Sequence, residues 1–70
     1  MRYVIDTVTR GAFAGWGINF KNERVPKFRW SVPLSHRDIV KFTDEEAALV
    51  ECSKIMDVYP KCGAYVKTIS

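Results

Sequence analysis

Few residues in this 70-residue chain could carry chemistry: one histidine, an acidic triplet, three close glycines and two cysteines. His36 has no nucleophile in a reactive context beside it and no second metal ligand, so it reads as a loop histidine. Asp44-Glu45-Glu46 has the look of paired carboxylates. At the start of a helix, capping and the helix dipole already account for such a cluster. Gly11, Gly15 and Gly17 are spaced GxxxGxG, which fits neither the dinucleotide fingerprint nor a P-loop, and no Lys-Ser/Thr follows. Cys52 and Cys62 are too few for a disulfide framework or a closed zinc site. They read as two reduced thiols. A single bridge would need their Cα atoms within about 7 Å. The expectation is a protein that is not an enzyme, with no catalytic, cofactor-binding or metal-binding residues.

Binding chemistry is better represented. Trp16, Phe20, Phe28 and Trp30 are interleaved with Lys21, Lys27 and Arg29. Aromatic rings on a sheet can stack on unpaired bases while cations hold the phosphates. Strand periodicity opposes that use here, because Phe28, Trp30 and Val32 fall on one face while Lys27, Arg29 and Ser31 fall on the other. The rings are then expected in the core. Lys27 and Arg29, with Lys21 and Arg24 nearby, are expected on a solvated cationic face that could meet phosphates or an acidic protein surface. The segment Arg10–Gly17, RGAFAGWG, is apolar for a loop. Unless Phe13 and Trp16 fold back on the core, it forms an exposed hydrophobic tip, and such a tip usually marks a contact surface. The candidate partner-binding residues are therefore Phe13, Trp16, Lys21, Arg24, Lys27 and Arg29.

The elements that must position these residues are legible in outline. Thr43-Asp44-Glu45-Glu46 fits a capping box with Thr43 as N-cap. Ala48, Leu49, Cys52, Ile55, Met56 and Tyr59 follow on one helical stripe, and Pro60 should stop the helix near Tyr59. Val50 points almost opposite that stripe, with Ala47 and Val58 to one side; these read as scattered surface apolar residues, with a small partner-binding patch as the alternative. Arg2–Thr9 reads as a strand with one fully buried end. Arg10–Gly17 reads as a loop or a bulged crossing. Gly17–Lys21 and Val25–Val32 read as a hairpin turning at Asn22-Glu23-Arg24, with Pro26 fitting only a strand start or edge. Pro33–Lys41 offers either one helical turn over His36–Ile39 or a short strand over Ile39–Phe42. Ala64–Ile69 is a closing strand. The order β-β-β-α-β predicts an α+β fold: about four mostly antiparallel strands with one amphipathic helix packed across one face.

Length and composition fit one domain over residues 1–70. A chain this short buries only about 60% of its unfolded surface, so it is stable by a narrow margin. A hydrophobic content of 47% argues against disorder. No apolar run approaches the roughly 20 residues of a membrane span. MRYVIDTVTR carries an Asp within its apolar part and is too short for a signal peptide. The expectation is a soluble, cytoplasmic protein without membrane partners. Charge is divided unevenly: residues 1–42 carry a net +5 and residues 43–70 a net −2. A basic sheet side attracts acidic partners, whether protein or nucleic acid, without choosing between them.

The layout resembles the small α+β proteins of phage genomes that block host machinery, the anti-CRISPR and other anti-defence inhibitors. The likeness is carried by the small size, the VPKFRWSV hairpin region, the TDEEA helix start and the closing strand AYVKTI. It spans most of the chain as architecture and transfers no residue by match. It implies no cofactor, inhibition by steric occlusion, a host protein or nucleoprotein complex as partner, and the host-cell cytoplasm as location. The reading is a non-enzymatic protein-binding module acting through the basic sheet side and the 10–17 loop. The alternatives are a single-stranded nucleic-acid-binding module and a homo-oligomer, in its simplest form a homodimer, built by edge-strand pairing.

Overall fold

A computed structural model describes residues 1–69 and has the α+β order β1 (Arg2–Asp6), β2 (Ala12–Ile18), β3 (Arg24–Arg29), α1 (Glu45–Val58), β4 (Tyr65–Ile69). The four strands pair antiparallel as two ladders, β1 with β4 and β2 with β3.

β1 lies at the centre of the packing. Strand alternation sends Val4 and Ile5 to opposite faces, and both are fully buried. Ile5 joins Phe13, Cys52, Ile55 and Cys62 in the cluster beneath the helix. Val4 joins Ala12 and Ile39 on the other side. β1 therefore reads RYVID because both faces of its middle are interior. Beyond Asp6 the chain turns rather than running on to Thr9. Buried Thr7 closes that turn: its hydroxyl donates to Gly11 O at 2.7 Å and accepts from Arg10 N–H at 2.9 Å.

Residues 12–17, read as a loop or a bulged crossing, are most of β2, a strand with a bulge. Two glycines make that possible. Gly11 has φ 91°, and a Cβ there would stand 2.5 Å from Arg29 O. Gly15 has φ 105° at a bulge, where two β2 residues face Lys27 alone between the pairs Phe13/Phe28 and Trp16/Pro26. The extra residue places Phe13 and Trp16 on the same face, although a spacing of three would otherwise separate them. Glycines that read as a strand breaker are here the device that aligns two rings.

The helix carries two corrections. Its N-cap is Asp44, not Thr43: Asp44 is extended at φ −123°, ψ 123°, and its carboxylate accepts Glu46 N–H at 3.2 Å. Phe42 is held by a two-way backbone bridge to Tyr3, so the extended chain runs on past Thr43 and the charged acceptor takes the cap. Ala48, Cys52 and Ile55 are buried as the stripe required, but Leu49 is 53% exposed at its margin. Val50 and Val58 are exposed, as expected. Helix α1 ends at Val58, with Tyr59 N–H on Ile55 O at 2.9 Å ahead of Pro60.

Residues 33–39 make two successive turns, His36 N–H to Pro33 O and Ile39 N–H to His36 O, which drop Ile39 into the second cluster. Both options for this segment are thus partly present, since Phe42 then forms its strand bridge. Cys52 and Cys62 are free thiols in the core. Burial, and secondarily the neighbouring Cys62, push the Cys52 thiol above its ordinary pKa.

Candidate functional site: the β2–β3 hairpin

The hairpin has a buried root and a displayed tip. At the root, Phe13 is 1% exposed and meets Trp16 and Phe28 edge-on, with centroids 5.8 and 6.5 Å away. Tyr59 of the helix end lies 6.1 Å beyond Phe28. Phe13 as a partner contact is thereby corrected: it is the ring that joins the hairpin to the helix, and full burial of such a side chain stabilises by roughly 1.5–3 kcal/mol. Trp16 is half-buried. Its Nε1–H donates to Glu51 Oε1, and the Arg24 guanidinium lies 4.8 Å over its ring. A two-stranded hairpin is marginal on its own in water, so these ring contacts hold it to the rest of the fold.

At the tip the turn spans 19–23, earlier than the sequence reading placed it. Asn19 builds it: its side-chain oxygen accepts from Lys21 N–H and from Glu23 N–H, both at 2.9 Å. Asn22 takes the left-handed conformation at φ 63°. This Asx-type closure leaves Phe20 94% exposed and Ile18 66% exposed. The Lys21 ammonium sits 5.9 Å from the Phe20 ring centroid. Ile18, Asn19 and Phe20, which shape this tip, are not among the residues the sequence reading singled out as candidates. The clue was two asparagines bracketing Phe-Lys, where a strand was read instead.

The expected single cationic face is divided. β3 register turns Arg24, Pro26 and Phe28 to one side and Val25, Lys27 and Arg29 to the other. Arg24 lies over Trp16, and Lys21 is in the tip turn against Phe20. Lys27 lies on the opposite side, where its aliphatic stem crosses Gly17 closely enough that a Cβ there would meet Lys27 Cδ at 2.9 Å. Arg29 is tied to Asp38 at 2.5 Å at the hairpin root. Trp30 corrects the expectation of a buried ring. The strand ends at Arg29, Ser31 bends the chain at φ 59°, and Trp30 is left 59% exposed. Phe28 is half-buried against the core, as its face required.

Elsewhere, a shallow cleft of about 450 Å³ beside the helix end is lined by Thr9, Arg10, Val58, Tyr59, Lys61 and Cys62. The Arg10 guanidinium fills part of it by stacking 3.9 Å over Tyr59, and the Cys62 thiol is buried. His36 lies in the 33–39 turns, its Nδ1 accepting Asp38 N–H at 3.1 Å. Among the described residues no three His, Cys, Asp or Glu side chains converge as metal ligands do, and no helix is long and apolar enough to cross a membrane. Comparison of the chain with protein-family models, curated proteins and solved structures finds no match.

Proposed function

We propose that the protein is a non-enzymatic binding module whose contact surface is the hairpin tip, formed by Ile18, Phe20, Lys21 and Arg24 with Trp16 behind them. The single observation that carries this reading is Phe20. An aromatic ring 94% exposed stands on a turn whose backbone is already fixed by hydrogen bonds, so little backbone entropy remains to be lost on binding. Aromatic rings beside arginine are the usual composition of an energetic hot spot. The partner is a protein surface with an apolar pocket and an acidic rim. In the layout it resembles, such a module blocks a host protein or nucleoprotein complex by occupying the surface that the complex needs.

The test is affinity capture from a cellular lysate, with and without nuclease. The wild type is compared with Phe20→Ala and with the double change Lys21→Glu, Arg24→Glu. Proteins held by the wild type after nuclease and lost in both variants support the reading. Identical capture by all three removes the hairpin from it. The exposed Trp30 ring beside Arg29 favours a second reading, single-stranded nucleic acid. That reading requires oligonucleotide binding that weakens steeply with salt, and no shift at low salt disposes of it.

A further inference from the structure

The two ladders leave free edges of different kinds. Tyr3 of β1 exchanges both backbone hydrogen bonds with Phe42, each 2.8 Å. Alternation then turns the backbone groups of Arg2, Val4 and Asp6 toward β4, and Val8 N–H, on Cys62 O at 3.0 Å, keeps the same sense. Their partners Ile69, Lys67 and Tyr65 point back at β1. Val66 and Thr68 must therefore turn their N–H and C=O groups outward, where none has a backbone partner among the described residues. On β3 the same accounting puts Pro26 at an outward position, so that edge lacks a donor at its middle. β4 has no proline, glycine or bulge, and Lys67 is its only charge. Free edges of this kind are templates for another strand.

We propose that β4 pairs antiparallel with β4 of a second copy, joining two β1–β4 ladders into one four-stranded sheet. Two features select a second copy. A register centred on Val66 sets each Lys67 across from the exposed Tyr65 of the other copy, a cation–aromatic pair made twice. Centring on Lys67 would instead oppose two ammonium groups, which fixes the choice between neighbouring registers. The second feature is Leu49. It lies about 160° around the helix axis from Glu51 at 100° per residue. Glu51 faces the hairpin through Trp16, so Leu49 is on the β4 flank. A two-fold axis through paired Val66 residues keeps both helices on one face of the joined sheet and brings the two exposed Leu49 flanks toward each other. The hairpins lie on the far sides, so the dimer displays two tips.

Sedimentation equilibrium from about 1 μM to about 1 mM, a range suited to a small interface, tests this on the whole chain. The wild type is expected to shift from monomer to dimer with concentration. Thr68→Pro removes an outward N–H only, so the β1 ladder survives; it is expected to stay monomeric with an unchanged circular dichroism spectrum. Tyr65→Lys, which opposes Lys67 in both copies and does not touch the strand backbone, is expected to weaken association about tenfold; it decides the matter if the proline variant fails to fold. A wild type that is monomeric throughout, or a dimer that Tyr65→Lys leaves at full strength, overturns the proposal.

Discussion

The β1–β4 ladder and the β2–β3 hairpin are both two antiparallel strands, yet they are built for opposite ends. β1–β4 joins residues from the two ends of the described chain in unbroken register, from Arg2/Ile69 to Asp6/Tyr65. β1 is buried on both faces through the β-branched Val4 and Ile5, so what the ladder leaves open is backbone groups at its β4 edge. β2–β3 is local, bulged and glycine-rich, and its free β3 edge is interrupted by Pro26. What it leaves open to solvent is side chains at the tip. A domain this small divides the work: the long-range pairing supplies stability and an edge, and the local pairing supplies a ring and cations held out from the surface.

Phe13→Ala should break that division most severely. It severs the hairpin from the helix at a site 1% exposed, and the expected loss of about 3–5 kcal/mol rivals the whole stability of a small domain. Phe20→Ala, seven residues along, should change the midpoint of denaturant unfolding by no more than about 0.5 kcal/mol while losing captured partners. If both variants unfold alike, the root and tip are not separable. Gly11→Ala comes next. The positive φ and the nearby Arg29 carbonyl predict a loss of at least about 2 kcal/mol, measured in the same way. Trp16→Phe keeps the ring stack but removes the donor to Glu51, so about 1 kcal/mol is expected.

The β-β-β-α-β order, the antiparallel pairing and the buried helix stripe of Ala48, Cys52 and Ile55 were legible because each has a local periodicity. β2 was not. Its glycines allowed either a loop or a bulged crossing when read locally, and only the partner strand decides for a bulged strand, with the bulge at Gly15 and a close approach at Gly11. Trp30 failed for the opposite reason. Its alternation was perfect, but a left-handed Ser31 ended the strand one residue too early for that alternation to matter. The site was half legible. Trp16 and Arg24 do come together and Lys21 stands at the tip turn, whereas Phe13 is interior, Lys27 is on the other face and Arg29 is engaged by Asp38. Phe20 could be recognised only by placing the turn on Asn19.

Cys52 probes the interior on the helix side of β1. Burial raises its pKa in the folded state, so folding favours the neutral thiol. The associated stability is fully present below the unfolded thiol pKa, whose ordinary value is 9.0, and is lost as pH rises through the higher folded value. Denaturation midpoints of the wild type should therefore fall above about pH 9, and Cys52→Ala, although less stable overall, should show a shallower alkaline decline. An identical decline in both would place the titrating group elsewhere.

The smallest effect tests the helix start. If Thr43 were the cap, Thr43→Ala should cost about 1 kcal/mol and Asp44→Ala little. The geometry reverses this. Asp44 holds the Glu46 N–H and brings a negative charge to the positive end of the helix dipole, so Asp44→Ala should cost about 1 kcal/mol and Asp44→Asn somewhat less. Thr43 is exposed between the Tyr3–Phe42 bridge and the cap, so its substitution should stay within about 0.5 kcal/mol. Asp44→Asn keeps an acceptor for the Glu46 N–H and removes the charge, so its midpoint set beside that of Asp44→Ala separates the hydrogen bond from the dipole interaction.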